Sequence, residues 1–181
     1  MIITRRIIQI VFTDKWCEEQ LSRLVTLEQF QGTSDGEMDE IHVLRDAYAA
    51  DVCVLLTTGA ILVGGMAYEI NVAEHEAFCV VNYNYADAAG YWSFAHEIGH
   101  LLGGRHQGTK SEGAQGFDPC NEPYSYAHGY RFIGNDNNKY RTMMHVDPYE
   151  GSRIKQFANP SVDFQGVPTG DSNHDVALVF T

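Results

Sequence analysis

The stretch "FAHEIGHLLGGRH", Phe94 to His106, places three of the chain's eight histidines within a few turns of one another. In an α-helix, residues four apart lie one turn apart on the same face, with Cβ atoms about 5–6 Å apart. His96 and His100 therefore reach a common point only if this segment is helical. Glu97 then stands about 100° around the helix from His96, beside that point and not on it. A third imidazole has to come from outside the helix axis, which demands a sharp turn after His100. Gly103 permits the turn, because glycine enters the left-handed region at little steric cost. His106 follows three residues later.

The pattern is H-E-x-x-H-x-x-G-x-x-H. Five specified positions coincide by chance in a chain of this length with a probability on the order of 10⁻⁵ at ordinary residue usage, so the three histidines are read as a set. Zinc binds imidazole nitrogen at about 2.0–2.1 Å, and three protein ligands with an open fourth position define a catalytic site, not a closed structural one. The spacing predicts Zn2+ held by His96, His100 and His106, with the Glu97 carboxylate next to it.

The rest of the chain bounds the context of that site. A length of 181 residues suits one domain with a proper core and is short for two, so residues 1–181 are expected to form a single domain. An apolar fraction of 44% and a charged fraction of 20% are those of a soluble globular protein. A net charge of -12, with only 12 Lys and Arg, excludes nucleic acid as a partner, since phosphate binding needs a concentrated basic surface. No stretch approaches the roughly 20 apolar residues of a membrane span. "MIITRRIIQIVF" carries its arginines inside the apolar run and lacks the order of a secretory signal. Cys17, Cys53, Cys79 and Cys120 are irregularly spaced with no C-x-x-C pair, which leaves buried thiols and up to two disulfides open.

Along the chain, "RRIIQIVF" (5–12) reads as a buried strand. "SDGEMDEIHVLRDAYAA" reads as a helix, with Ser34 and Glu37 at capping-box spacing and Met38, Ile41, Leu44 and Tyr48 on one face. "DVCVLLT" (51–57) and "AFCVVNYNY" (77–85) are buried strands, and "GGMAYEI" (64–70) is a shorter edge strand. Gly103 and Gly104 end the motif helix. From Arg105 to Lys139 the chain is rich in Gly, Pro, Asn and Asp and is read as loop with short elements. "NHDVALVF" opens a last helix. The alternation suggests a mixed sheet with helices packed on it.

The flanking residues add a resemblance. "SFAHEIGHLLGGRH", "AHGYRF", "YRTMMHV" and "FANPSVDFQGVPTG" resemble the reprolysin-like (adamalysin-type) metzincin metallopeptidases, in particular their bacterial members. The resemblance runs from about Arg6 to the C-terminus. It implies an α+β, zincin-like fold: a mixed β-sheet with packed helices, and an active-site helix followed by a Gly turn and a Met-turn in an irregular C-terminal subdomain. It makes Met144 the Met-turn residue beneath the metal, although Met143 is adjacent and the sequence does not decide which side chain faces zinc. It implies a secreted protein, and a catalytic domain that lacks the family's first strand and helix and stops within the last helix.

Three positions depart from the family pattern. Gln107 stands where Asp usually follows the third histidine, which is expected to alter support of that loop more than zinc ligation. His145 stands where a small residue is common, and either touches substrate or occupies a surface. Val146 stands where some metzincins place a tyrosine, so no catalytic tyrosine is assigned; Tyr149 is a cleft wall or a surface residue. The segment "HVDPYEGSRIK", His145 to Lys155, is where the resemblance places the wall of the specificity pocket. His42, His75, His128 and His174 have no ligand spacing and are read as surface or hydrogen-bonded residues.

The function implied is hydrolysis of peptide bonds in polypeptides by a zinc endopeptidase. Zinc lowers the pKa of a bound water toward about 7 and polarises the scissile carbonyl, while Glu97 acts as general base and then protonates the leaving amine. Two alternatives stay open at this point: a zinc-retaining, catalytically impaired protein-binding domain of the same fold, and a zinc hydrolase of small amides or cell-wall peptides.

Overall fold

The computed structural model of the chain describes residues 23–58, 64–88, 90–107, 124–146 and 151–180. The strand expected at 5–12, Cys17, Cys120 and Tyr149 lie outside the described residues.

The run "FCVVN" is buried at every position, the pattern of a strand covered on both faces. Strand β1 (Cys53–Thr57) pairs parallel to β3 (Phe78–Asn82), with Cys53 opposite Phe78 and Thr57 opposite Asn82. Strand β2 (Gly65–Ala67) pairs antiparallel on the other side of β3, with Gly65 opposite Val81. The order β1-β3-β2 makes a mixed sheet with β3 in the middle and β2 at an edge among the described residues. Because side chains alternate across a strand, β3 feeds two separate cores. Phe78 and Val80 join Leu27 and Phe30 of helix α1 (Arg23–Gln31) on one face. Cys79 and Val81 join Leu101 and Phe94 of helix α3 (Ser93–Leu101) on the other. The Phe30 ring meets Phe78 edge-on at 5.2 Å between centroids, a geometry aromatic pairs prefer.

The C-terminal half is less regular. Strands β4 (Arg131–Ile133) and β5 (Lys139–Arg141) pair antiparallel, and β6 (Ser152–Arg153) lies parallel to β5. A small hairpin of β7 (Asp163–Phe164) and β8 (Val167–Pro168) follows. Phe132, Tyr140 and Phe164 cluster their rings where these sheets meet, with Phe164 edge-on to the other two and 5.0 Å from Tyr140 between centroids. A third core of Met144, Ala158 and Val176 ties this half together. The architecture is mixed α+β, with few helices and small sheets.

Two elements differ from the sequence reading. Helix α1 falls in a segment for which no element is predicted. Helix α2 begins at Glu40, with Asp39 at its N-cap, and ends at Tyr48, so it starts five residues later than a cap at Ser34 suggests. Instead of a capping box, Asp35 Oδ1 accepts the Glu37 N–H and Asp39 Oδ2 accepts the Gly36 N–H. Short acidic side chains offer the backbone such local bonds in place of a helical turn, and Met38 adopts φ 56° just before the helix. Met38 is buried and Ile41 packs beside it, but Tyr48 is exposed. Cys53 and Cys79 are buried free thiols, and burial is the leading cause that pushes both up, Cys53 to about 11. They serve as small core residues. No helix among the described residues is long and apolar enough to cross a membrane.

Candidate metal centre

Helix α3 buries His96, Glu97 and His100 together. Its end is closed by two backbone bonds, Gly103 N–H to His100 O at 2.9 Å and Gly104 N–H to Gly99 O at 2.8 Å, with Gly103 at φ 106°. This is the double bond pattern of a Schellman cap, which needs a left-handed residue after the helix.

The ring nitrogens fix their own protonation. His96 Nδ1 donates to Met143 O at 2.9 Å and His100 Nδ1 donates to Gly104 O at 2.8 Å. A carbonyl only accepts, so each Nδ1 carries the proton and each Nε2 presents a lone pair. These two Nε2 atoms lie 3.1 and 3.0 Å from Nε2 of His106. One N–H on His106 could serve one of them and not both, whereas a cation is shared by all three. Ligand nitrogens on a tetrahedral zinc with bonds of about 2.0–2.1 Å stand about 3.3 Å apart, close to what is seen. The three imidazoles are thus placed to bind one metal ion, and the nitrogen donor set on a rigid scaffold fits zinc. The carbonyls behind His96 and His100 hold the rings in orientation, as outer partners of metal ligands do.

Burial keeps these rings neutral, the form that ligates. It lowers His96 well below 6.5, with His100, His106 and Arg153 adding to the effect. It brings His100 to about 4 against the opposing pull of the Gly104 carbonyl. His106 falls to about 3, from burial first and then the charges of His100, Arg153, His145 and Arg105.

The segment that carries His106 is held by residues distant in sequence. Arg105 N–H donates to Ala127 O at 2.7 Å, Gly129 N–H donates to Arg105 O at 3.0 Å, and His128 Nδ1 donates to His106 O at 3.0 Å. His128 is therefore a buried strut behind the third imidazole. Gln107 adds a second hold: its Nε2 donates to Val146 O at 3.2 Å while its Oε1 accepts the Val146 N–H at 3.1 Å. An ionised carboxylate only accepts, so the amide makes a two-way clasp that aspartate could not. Replacing the family's usual acid here supplies loop support of a different kind.

Glu97 is buried at 5% exposure. Its side chain runs along β2: a Cβ at Gly65 would lie 2.7 Å from Glu97 Cγ and 2.9 Å from Oε1. On the other side of α3, Met144 is fully buried, and a Cβ at Gly99 would lie 2.7 Å from its sulfur. Met143 contributes its carbonyl to His96 and Met144 its side chain to the helix. His145 is buried at 1% exposure, so its reading as a surface residue does not hold.

Two arginines converge next to this centre. Arg153 donates from Nη1 to Tyr91 O at 2.8 Å and from Nη2 to His145 O at 3.1 Å. Arg141, its register partner across β5 and β6, donates to the same His145 carbonyl at 3.3 Å and to Gly151 O at 3.2 Å. Among the other histidines, His42 bonds Gly32 O at 2.7 Å and His174 bonds Asp171 at 2.8 Å, while the His75 side chain is 72% exposed. They bear out the reading as hydrogen-bonded or surface residues.

Three neutral imidazoles, two on a capped helix and one on the segment that turns back from it, in a mixed α+β frame, define the class as a metallopeptidase type of centre. The Reprolysin_5 profile of metallo-peptidase family M12 matches residues 3–158, and the chain belongs to that family. It is similar to the peptidyl-Asp metalloendopeptidase of Stenotrophomonas maltophilia (strain R551-3), with 41% identity over 145 residues, 80% of this chain and 32% of that protein. It is also similar to those of Xanthomonas campestris pv. campestris, 37% over 148 residues, 81% of this chain and 32% of that protein, and of Pseudomonas fragi, 37% over 139 residues, 76% of this chain and 63% of that protein. The chain thus spans about a third of the length of the first two. No solved structure matches it significantly.

Proposed function

We propose that residues 1–181 form the catalytic domain of a zinc endopeptidase that hydrolyses polypeptides, with a preference for bonds next to aspartate. The observation that carries the reading is the convergence of three imidazole lone pairs beside the buried Glu97. His96, His100 and His106 would hold Zn2+. When bound, zinc supplies a Lewis acid that acidifies water and polarises the scissile carbonyl. Glu97 takes a proton from the attacking water, whose oxygen bonds to the carbonyl carbon. The C–N bond then breaks and Glu97 returns the proton to the departing amine. Burial of Glu97 against β2 supports this role, since a fixed base loses little freedom on reaching the transition state.

In the same reading, Gly103 is the Gly turn that swings the chain back to His106, and Met144 is the Met-turn residue under the histidines. The packing of its side chain on Gly99, between the two helical ligands in sequence, supports the choice of Met144 over Met143. The preference for aspartate is carried over from the name shared by the relatives. Export from the cell belongs to the proposal through the likeness to reprolysin-like peptidases. The impaired-domain alternative loses one of its two supports, because Gln107 clasps Val146 through both ends of its amide. The test is cleavage of an unfolded protein by the zinc-loaded chain. A chelator and Glu97→Gln should each abolish it, with zinc retained in the variant; zinc retention with no cleavage by the wild type would overturn the proposal.

A further inference from the structure

Between the segment that carries His106 and the turn that supports the ligand helix lies the stretch Ala127 to Tyr130. On one side it grips the approach to the third imidazole. Arg105 N–H donates to Ala127 O at 2.7 Å, and Gly129 N–H is shared between Arg105 O at 3.0 Å and His106 O at 3.3 Å. The His128 side chain adds a second donor to that His106 carbonyl, at 3.0 Å. On the other side, Tyr130 N–H donates to Thr142 Oγ1 and Thr142 N–H to Tyr130 O, both at 2.8 Å. Thr142 opens a turn that His145 N–H closes onto its carbonyl at 3.1 Å. Within that turn, the Met143 carbonyl holds the His96 ring and the Met144 side chain lies on Gly99. Thr142 to His145 are buried, and so are Ala127, His128 and Gly129.

Gly129 sets the thickness of this spacer. A Cβ there would lie 2.3 Å from His145 N, 2.5 Å from Met144 C and 2.7 Å from His145 Cα. Non-bonded atoms rest at about 3.5–4.0 Å, so one added methyl group demands a shift of about 1 Å against backbone that has no side chain to yield. Backbone conformation is not what requires glycine, since Gly129, unlike Gly103, lies outside the left-handed region. The requirement is space. If the spacer recoils from an added Cβ, it takes its hold on Arg105 and His106 with it and moves the third imidazole. If the turn recoils, it draws the Met143 carbonyl from His96 and Met144 from Gly99. Either response changes how the three ring nitrogens converge.

We infer that His128 and Gly129 are positioning residues of the metal centre: they fix the separation between the His106 segment and the 142–145 turn, and with it the aim of the third imidazole. The inference rests on the zinc reading above and deepens it by naming what sets the ligand geometry. His128 acts by donating to the carbonyl of the ligand residue itself, and Gly129 by letting two backbones meet. Replacing outer partners of metal ligands changes affinity or activity by about 10- to 100-fold.

The experiment measures zinc affinity by competition with a chelating dye, the visible spectrum of Co2+-loaded protein, and the melting temperature. Alongside these it measures kcat and KM on a peptide with aspartate next to the cleaved bond. Gly129→Ala should weaken zinc binding by about 10- to 100-fold, shift the Co2+ bands that report ligand geometry, and lower kcat with KM little changed. His128→Ala should weaken zinc binding by about 10-fold. His128→Asn should recover most of that loss, because its Nδ2 stands two bonds from Cβ, as the imidazole Nδ1 does, and donates from the same place. Phe30→Leu, in the core on the opposite face of the sheet from α3, should lower the melting temperature and leave affinity and spectrum as they are.

Wild-type zinc affinity and an unshifted Co2+ spectrum in Gly129→Ala would reduce the glycine to ordinary packing and overturn the assignment. If that variant does not fold, the His128 pair decides: a loss that asparagine restores supports the assignment, and no loss, or one that asparagine leaves in place, overturns it. Phe30→Leu with the same changes in affinity and spectrum overturns it too, since any destabilisation would then suffice. A wild type that binds no zinc refutes the zinc reading, and the positioning roles fall with it. A wild type that binds zinc and cuts no peptide refutes the endopeptidase reading alone, because affinity and spectrum still decide the roles of His128 and Gly129.

Discussion

The Glu97 side chain occupies the space that a Cβ at position 65 would need. Strand β2 cannot retreat to make room, because the same Cβ would lie 2.8 Å from the Val80 carbonyl of its neighbour β3. Gly65→Ala should therefore push the carboxylate aside and leave the three imidazoles in place. A displacement of about 1 Å can cost on the order of 100-fold in rate. The expected outcome is full zinc content with kcat/KM reduced by as much as about that factor, read by metal analysis alongside peptide kinetics; an unchanged kcat/KM would separate Gly65 from the base. At this scale the sequence exposes the ligands well and their supports poorly. His96, His100 and His106 announce themselves through local spacing, whereas His128 reaches His106 from 22 positions away and Arg153 reaches Tyr91 from 62. No local pattern encodes such pairs. Gln107 was visible as a departure, but its two-way bond to Val146 depends on backbone brought alongside by the fold.

Among the elements, α3 is the most legible, since ligand spacing, apolar neighbours and a terminal glycine pair all agree. Gly103 carries that agreement into geometry. Its φ of 106° suits glycine, and a Cβ there would lie 2.7 Å from the Tyr124 ring. Alanine in left-handed backbone costs about 1–2 kcal/mol, so Gly103→Ala should lower Tm by about 2–8 °C for a domain of this size. Zinc should also bind more weakly, because His106 is aimed by the same turn. Differential scanning calorimetry with and without zinc checks this, and an unaltered Tm would remove the cap from the account. Helix α1 was not legible: its anchors Leu27 and Phe30 give one helical step and no longer repeat, and they are recognisable only against Phe78 and Val80. The start of α2 was misread because Asp35 and Asp39 bond backbone N–H groups ahead of the helix. The strands β1 and β3 stand out as apolar runs, but their parallel pairing, with β2 on the far side, is set by tertiary packing.

For the whole molecule, the cluster of buried neutral imidazoles ties stability to pH. His100 and His106 stand at about 4 and about 3 in the folded chain, against 6.5 ordinarily. Below pH 6.5 the unfolded chain binds protons that the folded chain refuses, so unfolding is favoured as acidity rises. The metal-free protein should keep this part of its stability above about pH 6.5 and lose it progressively as pH falls toward 4 and 3. Melting curves across that range should therefore fall with acid, more steeply in the wild type than in His106→Gln. Parallel curves for the two proteins would show that this imidazole does not titrate as its burial dictates.

The central claim is that the rings of His96, His100 and His106 share one zinc ion. Zinc-edge X-ray absorption on the loaded protein tests it most directly. One ion per chain, with three imidazole nitrogens at about 2.0–2.1 Å and a light fourth ligand, is the predicted result. Zinc bound through sulfur, or a spectrum that survives replacement of His96 and His106 by alanine, would contradict it.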